Sequence, residues 1–348
     1  MSRLAAMARL GRWLGPWTPA SSRPRGVRRR QVRMRGSERF DGWLYVPDRI
    51  RGALLLVPGL HYLGPADERL DRFLAILADA GLLVFCPFLP EFRRLRVGSS
   101  LVEDTAVAWE TLLALPERPA AIHPGAFSIS FGSYPALHLA TRADGPSALT
   151  LFGGYASFEE TIRFSLEGEA GRDFDPTNRP VVFLNALGGL DGEPRDPEPL
   201  RRAWITYVRR TWGRPALKSG GWRTIATEIE RTLPDDARAL FRIGVGLDPG
   251  GGALIDRALG RLDHGHLDPT DACRRVRCPT TIVHGRDDDV IPFTQAAKLH
   301  AMVHGSRLIL TGLYAHTGHG GVGPRALIDE LGAMVGILDA ICATAQYR

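Results

Sequence analysis

The sequence contains no long apolar run and few cysteines. Its longest apolar stretches, such as residues 53–57 and 81–85, have the length of a β-strand, whereas a helix that spans a bilayer needs about 20 residues. The four cysteines are scattered along the chain: Cys86, Cys273, Cys278 and Cys342. No histidine pair accompanies Cys273 and Cys278, so their spacing is not that of a zinc finger. We expect reduced structural cysteines, as in a cytoplasmic protein.

Acidic residues are absent from the first 36 positions, which hold ten arginines. The rest of the chain has 34 basic and 38 acidic residues, a net charge of −4. We expect no nucleic-acid partner, because the body of the chain has no basic excess. Residues 1–30 are interpreted as a basic, flexible extension. The alternative is an interfacial helix that contacts a membrane surface, since apolar residues recur every three to four positions: Leu4, Met7, Leu10, Trp13, Leu14 and Trp17.

Beyond this extension, short apolar strands alternate with amphipathic helices. Between positions 67 and 81, Leu70, Phe73 and Leu77 follow helical spacing and Gly81 ends the pattern. After a hairpin over 31–46, strands are predicted at residues 53–57, 82–86, 125–129, 148–152, 281–284 and 307–311. The alternation predicts an α/β fold with a mostly parallel, doubly wound sheet.

Residues 155–272 interrupt this alternation. They are rich in Arg, Gly, Pro and Asp, and helical patterns lie near 157–166, 199–212, 222–233 and 236–243. Trp204, Val208 and Trp212 recur at four-residue spacing, which is more typical of packing than of a ligand site. Contact of Trp204 or Trp212 with substrate is the alternative interpretation.

Residues 128–132 read Ser-Ile-Ser-Phe-Gly between a predicted strand and a predicted helix. A serine at the tip of so tight a turn needs small residues two positions before it and two positions after it. Ser128 and Gly132 meet this condition, with serine in place of the first glycine of the usual motif. Ser130 is therefore the candidate nucleophile.

A serine nucleophile of this kind needs an acid and then a histidine later in the chain. Residues 287–289 are three aspartates in the loop at the carboxyl end of a predicted strand, where open α/β sheets place ligand groups. After the last predicted strand, a glycine-containing loop carries His316 and His319. His316 is the predicted general base, and His319 is the alternative.

These segments resemble the α/β-hydrolase fold family over residues 40–155 and 273–345. The resemblance rests on residues 54–61, 128–132 and 285–292 and on His316. It implies that Asp288 is the acid of the triad and that the backbone N–H of Phe131 lines the oxyanion hole. It also implies Leu60 N–H as the second donor, although Pro58 stands where the family usually has histidine. In the family, an insertion such as residues 155–272 forms a helical cap, which leaves residues 31–154 and 273–348 as the hydrolase core.

The resemblance implies a serine hydrolase that cleaves a carboxylic ester or thioester through an acyl-enzyme on Ser130. A small-molecule acyl substrate is expected, and no metal or organic cofactor is needed. An acyltransferase or a peptidase on the same triad is an alternative, as is a non-enzymatic binding member of the fold. Serine at the elbow disfavours epoxide hydrolases and dehalogenases, which use aspartate there.

Overall fold

The computed structural model describes residues 2–15, 18–19, 21–169, 174–312 and 324–346. The strands are β1 (Arg28–Arg35), β2 (Arg39–Val46), β3 (Gly52–Val57), β4 (Leu82–Pro87), β5 (Gly125–Ile129), β6 (Leu149–Phe152), β7 (Thr280–Gly285) and β8 (Arg307–Thr311). The helices are α1 (Arg3–Leu14), α2 (Glu68–Asp79), α3 (Pro90–Arg93), α4 (Ser100–Ala114), α5 (Ser133–Leu139), α6 (Phe158–Glu167), α7 (Arg179–Ala186), α8 (Glu198–Thr211), α9 (Trp222–Glu230), α10 (Asp235–Val245), α11 (Gly251–Leu259), α12 (Thr270–Arg275), α13 (Thr294–Met302) and α14 (Pro324–Thr344). Within the described ranges, none of these helices has both the length and the apolarity that crossing a bilayer requires.

The strands form one sheet in the order β1-β2-β4-β3-β5-β6-β7-β8. Strand β2 is antiparallel to both its neighbours, whereas β3 to β8 are parallel to one another. The mostly parallel sheet predicted from the sequence is therefore confirmed. The chain leaves β3 for β4 on one side and returns to β5 on the other, so the carboxyl ends of β3 and β5 form a switch point. Crevices that bind ligands open at such points.

The central strands are buried on both faces, as parallel strands covered by helices must be. On β3, Leu54 and Leu56 belong to one apolar cluster, which includes residues of α1, α2 and α14. Leu55 and Val57 belong to the other cluster, which includes residues of α4, α5, α13 and the insertion. The sheet is thus packed between two helical layers. The segments that follow β5 and β7 at its carboxyl edge carry Ser130 and Asp288.

Helix α2 illustrates how local sequence positions an element. The Asp67 carboxylate caps its first turn by accepting the N–H groups of Arg69 and Leu70 at 3.2 and 3.3 Å. Leu74 and Leu77 are fully buried beneath the sheet. After the helix, Gly81 adopts a φ of +96°, a conformation that favours glycine. The predicted helix between positions 67 and 81 is confirmed.

The amino-terminal helix α1 packs against α2 and α14. Ala6 and Leu10 have no exposed surface, and the Trp13 indole N–H donates to Asp79 at 3.0 Å. The apolar face of this helix is buried against the rest of the domain, and the flexibility expected for residues 1–30 stays a prediction. The same face is the one that the interfacial-helix alternative requires for contact with a membrane.

The insertion contributes a layer of helices that pack on the sheet's second apolar cluster. Helices α6, α8, α9 and α10 follow the predicted patterns, whereas α7, α11 and α12 were not predicted. Helix α7 begins with Arg179-Pro180, and α11 begins with two glycines. Proline is favourable in the first turn of a helix, whereas the two glycines of α11 have low helix propensity, so α11 depends on packing within the layer more than on local sequence.

Candidate active site

Ser130 lies at the carboxyl end of β5, where the strand turns sharply into a short 3₁₀ turn and then helix α5. Its φ is +53°, which places a non-glycine residue in the left-handed region. Such a conformation costs on the order of 1–3 kcal/mol and clusters at functional sites. The side chain is nearly buried, with 7% of the residue exposed. Ser130 therefore occupies a strained turn that packing holds in place.

The two small residues that flank Ser130, Ser128 and Gly132, have different surroundings. A Cβ at Gly132 would lie 2.4 Å from the carbonyl oxygen of Pro58, a distance that excludes any side chain. Ser128 is fully buried, and within the described part of the chain its Oγ has no hydrogen-bond partner. The requirement for a small residue is thus absolute at Gly132, and at Ser128 the polar hydroxyl carries an energetic penalty.

The loop after β3 packs against this turn and supplies the second predicted oxyanion donor. A Cβ at Gly59 would lie 3.2 Å from Ser130 Cβ, so the two chain segments are in contact. Leu60 and Phe131 line the same cavity as Ser130. Phe131 is the second residue of the helical turn, where N–H groups have no acceptor within the helix. Within the described residues, Leu60 N–H also donates no hydrogen bond. Both amides are available near the serine.

A serine at the tip of a strand–turn–helix, at the carboxyl edge of a mostly parallel sheet, has the geometry of a nucleophile elbow. The fold is of the α/β-hydrolase type. No protein-family model matches the sequence, and no curated protein matches it at a significant level.

Solved structures with a similar fold include an acylaminoacyl peptidase of Pyrococcus horikoshii, at 13% identity and a TM-score of 0.48. The match covers 90% of this chain but only 40% of that peptidase. An esterase of Pyrococcus furiosus is 10% identical with a TM-score of 0.49, and 95% of each chain is covered. An esterase domain from Rhodothermus marinus is 15% identical with a TM-score of 0.44, covering 92% of this chain and 99% of that one. Similarity at this level carries no argument about activity.

Asp288 lies in the loop after β7, two strands from β5 on the same edge of the sheet. Its Oδ1 accepts the backbone N–H groups of Val290 and Ile291, both at 2.9 Å. Its Oδ2 lies 3.3 Å from Nε2 of the fully buried His284, which also contacts the Ile291 carbonyl at 2.9 Å. These contacts fix the position of the carboxylate.

The two neighbouring carboxylates have different surroundings. Burial raises the pKa of Asp287, and the adjacent charges of Asp288 and Asp289 act in the same direction. Asp289 binds the ammonium group of Lys218 in the insertion. Asp288 accepts two backbone N–H groups of its own loop, those of Val290 and Ile291. His316 and His319 lie outside the described residues, so their roles as base and alternative base stay predictions.

A cavity of about 300 Å³ lies between the sheet edge and the insertion, and Ser130 is part of its wall. Most of the exposed surface of its wall is apolar, with contributions from Leu60, Val97, Phe131, Phe158, Ile162, Val181, Val182 and Val290, and the charged residues Arg69, Asp175, Arg214 and Lys218 also line it. The polar Asn185 in the wall is already engaged. Its Oδ1 accepts Val97 N–H at 2.8 Å, and its Nδ2 donates to the Leu95 carbonyl at 2.8 Å. The cavity therefore offers a ligand a mainly apolar surface beside the serine.

The two tryptophans of helix α8 and its end have different environments. Trp212 lines the cavity and stacks on His61, with ring centroids 5.5 Å apart and an interplanar angle of 28°. Trp204 has no exposed surface and packs against Phe183 at 5.7 Å between ring centroids. Trp204 therefore belongs to the packing of the insertion and not to the candidate site. The alternative of substrate contact is open only for Trp212.

His61 lines the cavity beside Ser130 and was not among the site residues predicted from the sequence. Burial lowers the pKa of His61, against the opposing effect of the Asp67 carboxylate. Its Nδ1 accepts Leu63 N–H at 3.2 Å, which places the proton of the neutral ring on Nε2. Its place two residues after Gly59 was visible in the sequence, but its position against Trp212 depends on how the insertion packs.

Proposed function

We propose that this protein is a serine hydrolase that cleaves a carboxylic ester or thioester through an acyl-enzyme on Ser130. The observation that carries the proposal is the left-handed conformation of Ser130, with a φ of +53°, in the wall of an apolar cavity. Backbone strain at this serine is expected if the turn must present the hydroxyl to a substrate carbonyl. The nearby Leu60 and Phe131 amides support the same proposal.

In the proposed mechanism, Ser130 Oγ attacks the carbonyl carbon and its proton passes to the imidazole of His316. Asp288 holds the tautomer of that imidazole and stabilises its charged form. The N–H groups of Phe131 and Leu60 stabilise the tetrahedral oxyanion, at about 3–4 kcal/mol per donor. The tetrahedral intermediate then collapses with cleavage of the C–O or C–S bond, and the imidazolium protonates the leaving oxygen or sulfur to give the alcohol or thiol. Water, deprotonated by the same imidazole, releases the carboxylic acid and regenerates Ser130.

The base can be assigned kinetically. If His316 is the base, its replacement by alanine removes the burst of acylation, because the serine proton has no acceptor. His319→Ala keeps most of the burst and serves as the matched control. The reverse result would transfer the role to His319.

The cavity supports a substrate with a compact apolar group. Its volume of about 300 Å³ is at the lower end of the range for small-molecule sites. Besides Asn185, Thr211 in the wall is engaged, since its hydroxyl donates to the Tyr207 carbonyl at 2.8 Å. Polar wall groups that already have partners gain little from a polar ligand, whereas apolar walls gain from an apolar one.

The test is reaction of the purified full chain with a fluorophosphonate, which labels only an activated serine. We expect a single adduct, mapped by peptide mass spectrometry to Ser130. A protein that is folded but never labelled would contradict the hydrolase and support a non-enzymatic binding protein.

Unlabelled enzyme from the same preparation is then compared on matched substrates with one acyl group. An oxygen ester and a thioester should turn over, and the corresponding anilide should react far more slowly. Equal or faster cleavage of the anilide would favour a peptidase. Preferential transfer of the acyl group to an added alcohol, at the expense of hydrolysis, would favour an acyltransferase.

A further inference from the structure

Lysine is almost absent from this chain. Of its 44 basic residues only two are lysines, Lys218 and Lys298. Each of the two joins the insertion to the core by a salt bridge. Lys298 on α13 pairs with Glu160 on α6, and both side chains are about half exposed. Lys218, in the insertion, pairs with Asp289 of the core in a much less exposed setting.

Lys218 lies between two carboxylates. Its Nζ is 2.9 Å from Asp175 Oδ2 and also binds Asp289 Oδ2. The Asp175 side chain is only 7% exposed, and its Oδ1 accepts the N–H and the hydroxyl of Thr177 at 2.9 and 2.6 Å. The Asp175 N–H donates to the Asp289 carbonyl at 2.8 Å. Asp175 of the insertion is thus linked to Asp289 of the core by a backbone hydrogen bond and by the shared ion pairs with Lys218.

The residue tied in this way is the neighbour of the proposed acid. Asp288 Oδ1 is held by the N–H groups of Val290 and Ile291, which follow Asp289 directly. A shift of Asp289 would therefore change the turn that orients the Asp288 carboxylate. Val290 also lines the cavity, so the same loop forms part of the binding surface.

The charges make Lys218 necessary for this arrangement. Asp175 and Asp289 approach one ammonium group closely, and Asp287 and Asp288 precede Asp289 in the chain. Without the cation, partly buried carboxylates would repel one another and would lack compensation for their desolvation. The repulsion would act to separate the insertion from the loop that carries Asp288.

We propose that Lys218 is a positioning residue that couples the seating of the insertion to the orientation of Asp288. The proposal rests on the proposed hydrolase function. Lys218 does not touch the reacting atoms in this role; it acts through Asp289 and the turn formed by residues 288–291.

The experiment compares Lys218→Met with Lys298→Met, since both changes delete a salt bridge between the insertion and the core. Steady-state kinetics on an ester substrate are measured together with hydrogen–deuterium exchange at the amides of Asp175, Val290 and Ile291. We expect Lys218→Met to lower kcat by up to about 10²-fold, the effect of a small misplacement at an active site, with KM nearly unchanged. Exchange at the three amides should be faster. Lys298→Met should leave kcat and the three amides as in the wild type.

Lys218→Arg is the rescue variant, because a guanidinium can bridge two carboxylates. It should recover most of the turnover and slow exchange at the three amides. If Lys218→Met does not fold, Asp289→Asn removes one partner of the bridge without removing the cation. That variant should show the same pattern of lower kcat and faster exchange at Val290 and Ile291.

The proposal is overturned if Lys218→Met behaves like Lys298→Met, or if it raises KM at unchanged kcat, which would make Lys218 a substrate contact. It is also overturned if Lys218→Arg fails to recover turnover. A wild type that hydrolyses no ester would refute the hydrolase separately. In that case faster exchange in Lys218→Met would show only that Lys218 stabilises the contact between the insertion and the core, and the positioning role would be rejected.

Discussion

The sheet edge and the insertion contribute to the candidate site in different ways. The sheet edge supplies Ser130, Asp288 and the Leu60 and Phe131 amides, each at or just beyond the carboxyl end of a strand. The insertion supplies much of the cavity wall and the Lys218 bridge. In the proposed mechanism, the reacting groups therefore lie on the parallel sheet, and the helices added to it serve binding and positioning.

This difference follows from how the two regions are held. Strand ends in a parallel sheet are fixed by neighbouring strands, as when Val57 pairs with Ser128 and Ile129 pairs with Phe152. Residues of the insertion are fixed by side-chain packing and by a few polar links such as Asn185 to Leu95. Changes at the sheet edge, or at the Lys218 bridge that positions it, should thus affect turnover itself, whereas changes in the apolar cavity wall of the insertion should affect binding.

The largest effect is expected at Ser130. Ser130→Ala should reduce kcat by about 10⁶-fold, as loss of a nucleophile does in serine hydrolases, and should abolish fluorophosphonate labelling. Ser130→Gly should be equally inactive but about 1 kcal/mol more stable than Ser130→Ala, since glycine tolerates positive φ. Denaturant unfolding measures the difference. Equal stability of the two variants would show that the turn is not strained.

The next largest effect is expected at Asp288. Asp288→Asn should lower kcat by about 10⁴-fold, because an amide favours the wrong tautomer of the base. Asp287→Asn is the matched control and should cost far less, since it lacks the two backbone contacts that hold Asp288. Rates on one ester substrate decide the matter. A greater loss from Asp287→Asn would move the acid by one residue.

Substitution of the two tryptophans should have smaller effects, and only the change at Trp212 should alter substrate binding. Trp212→Leu enlarges the cavity and removes the stack on His61, so we expect KM to rise about tenfold with a shift toward bulkier acyl groups. Trp204→Leu should lower the melting temperature, because a fully buried ring is lost, and leave KM unchanged. Kinetics over a series of acyl groups, with thermal unfolding, tests both. Equal changes in KM would place both residues in one binding surface.

The smallest effect on turnover is expected for helix α1. Leu10→Ala should destabilise the fold by about 2–4 kcal/mol through the cavity it leaves, while kcat stays unchanged at temperatures where the variant is folded. Leu4→Ala is the control, because Leu4 is 76% exposed and should change stability by less than about 0.5 kcal/mol. A loss of kcat in Leu10→Ala would link α1 to the site.

The sequence alone was sufficient for the sheet and for the elements at its carboxyl edge. The alternation of strands and helices predicted a mostly parallel sheet, and the pattern around Ser130 predicted the turn at the end of β5. Such features depend on residues close together in the chain, where spacing, glycine and capping act directly. The position of Asp288 after β7 could be predicted for the same reason.

Only the tertiary structure decided which residues of the insertion line the cavity or contact the core, and which elements cover the apolar face of α1. Trp204 and Trp212 have similar local sequences, yet one is buried in the insertion and the other lines the cavity. Lys218 and Asp289 are 71 positions apart, and the apolar face of α1 is covered partly by α14 at the other end of the chain. Contacts between distant segments form only when the whole chain folds, because the burial of apolar surface must offset the entropy cost of loop closure. Local sequence patterns therefore do not predict them.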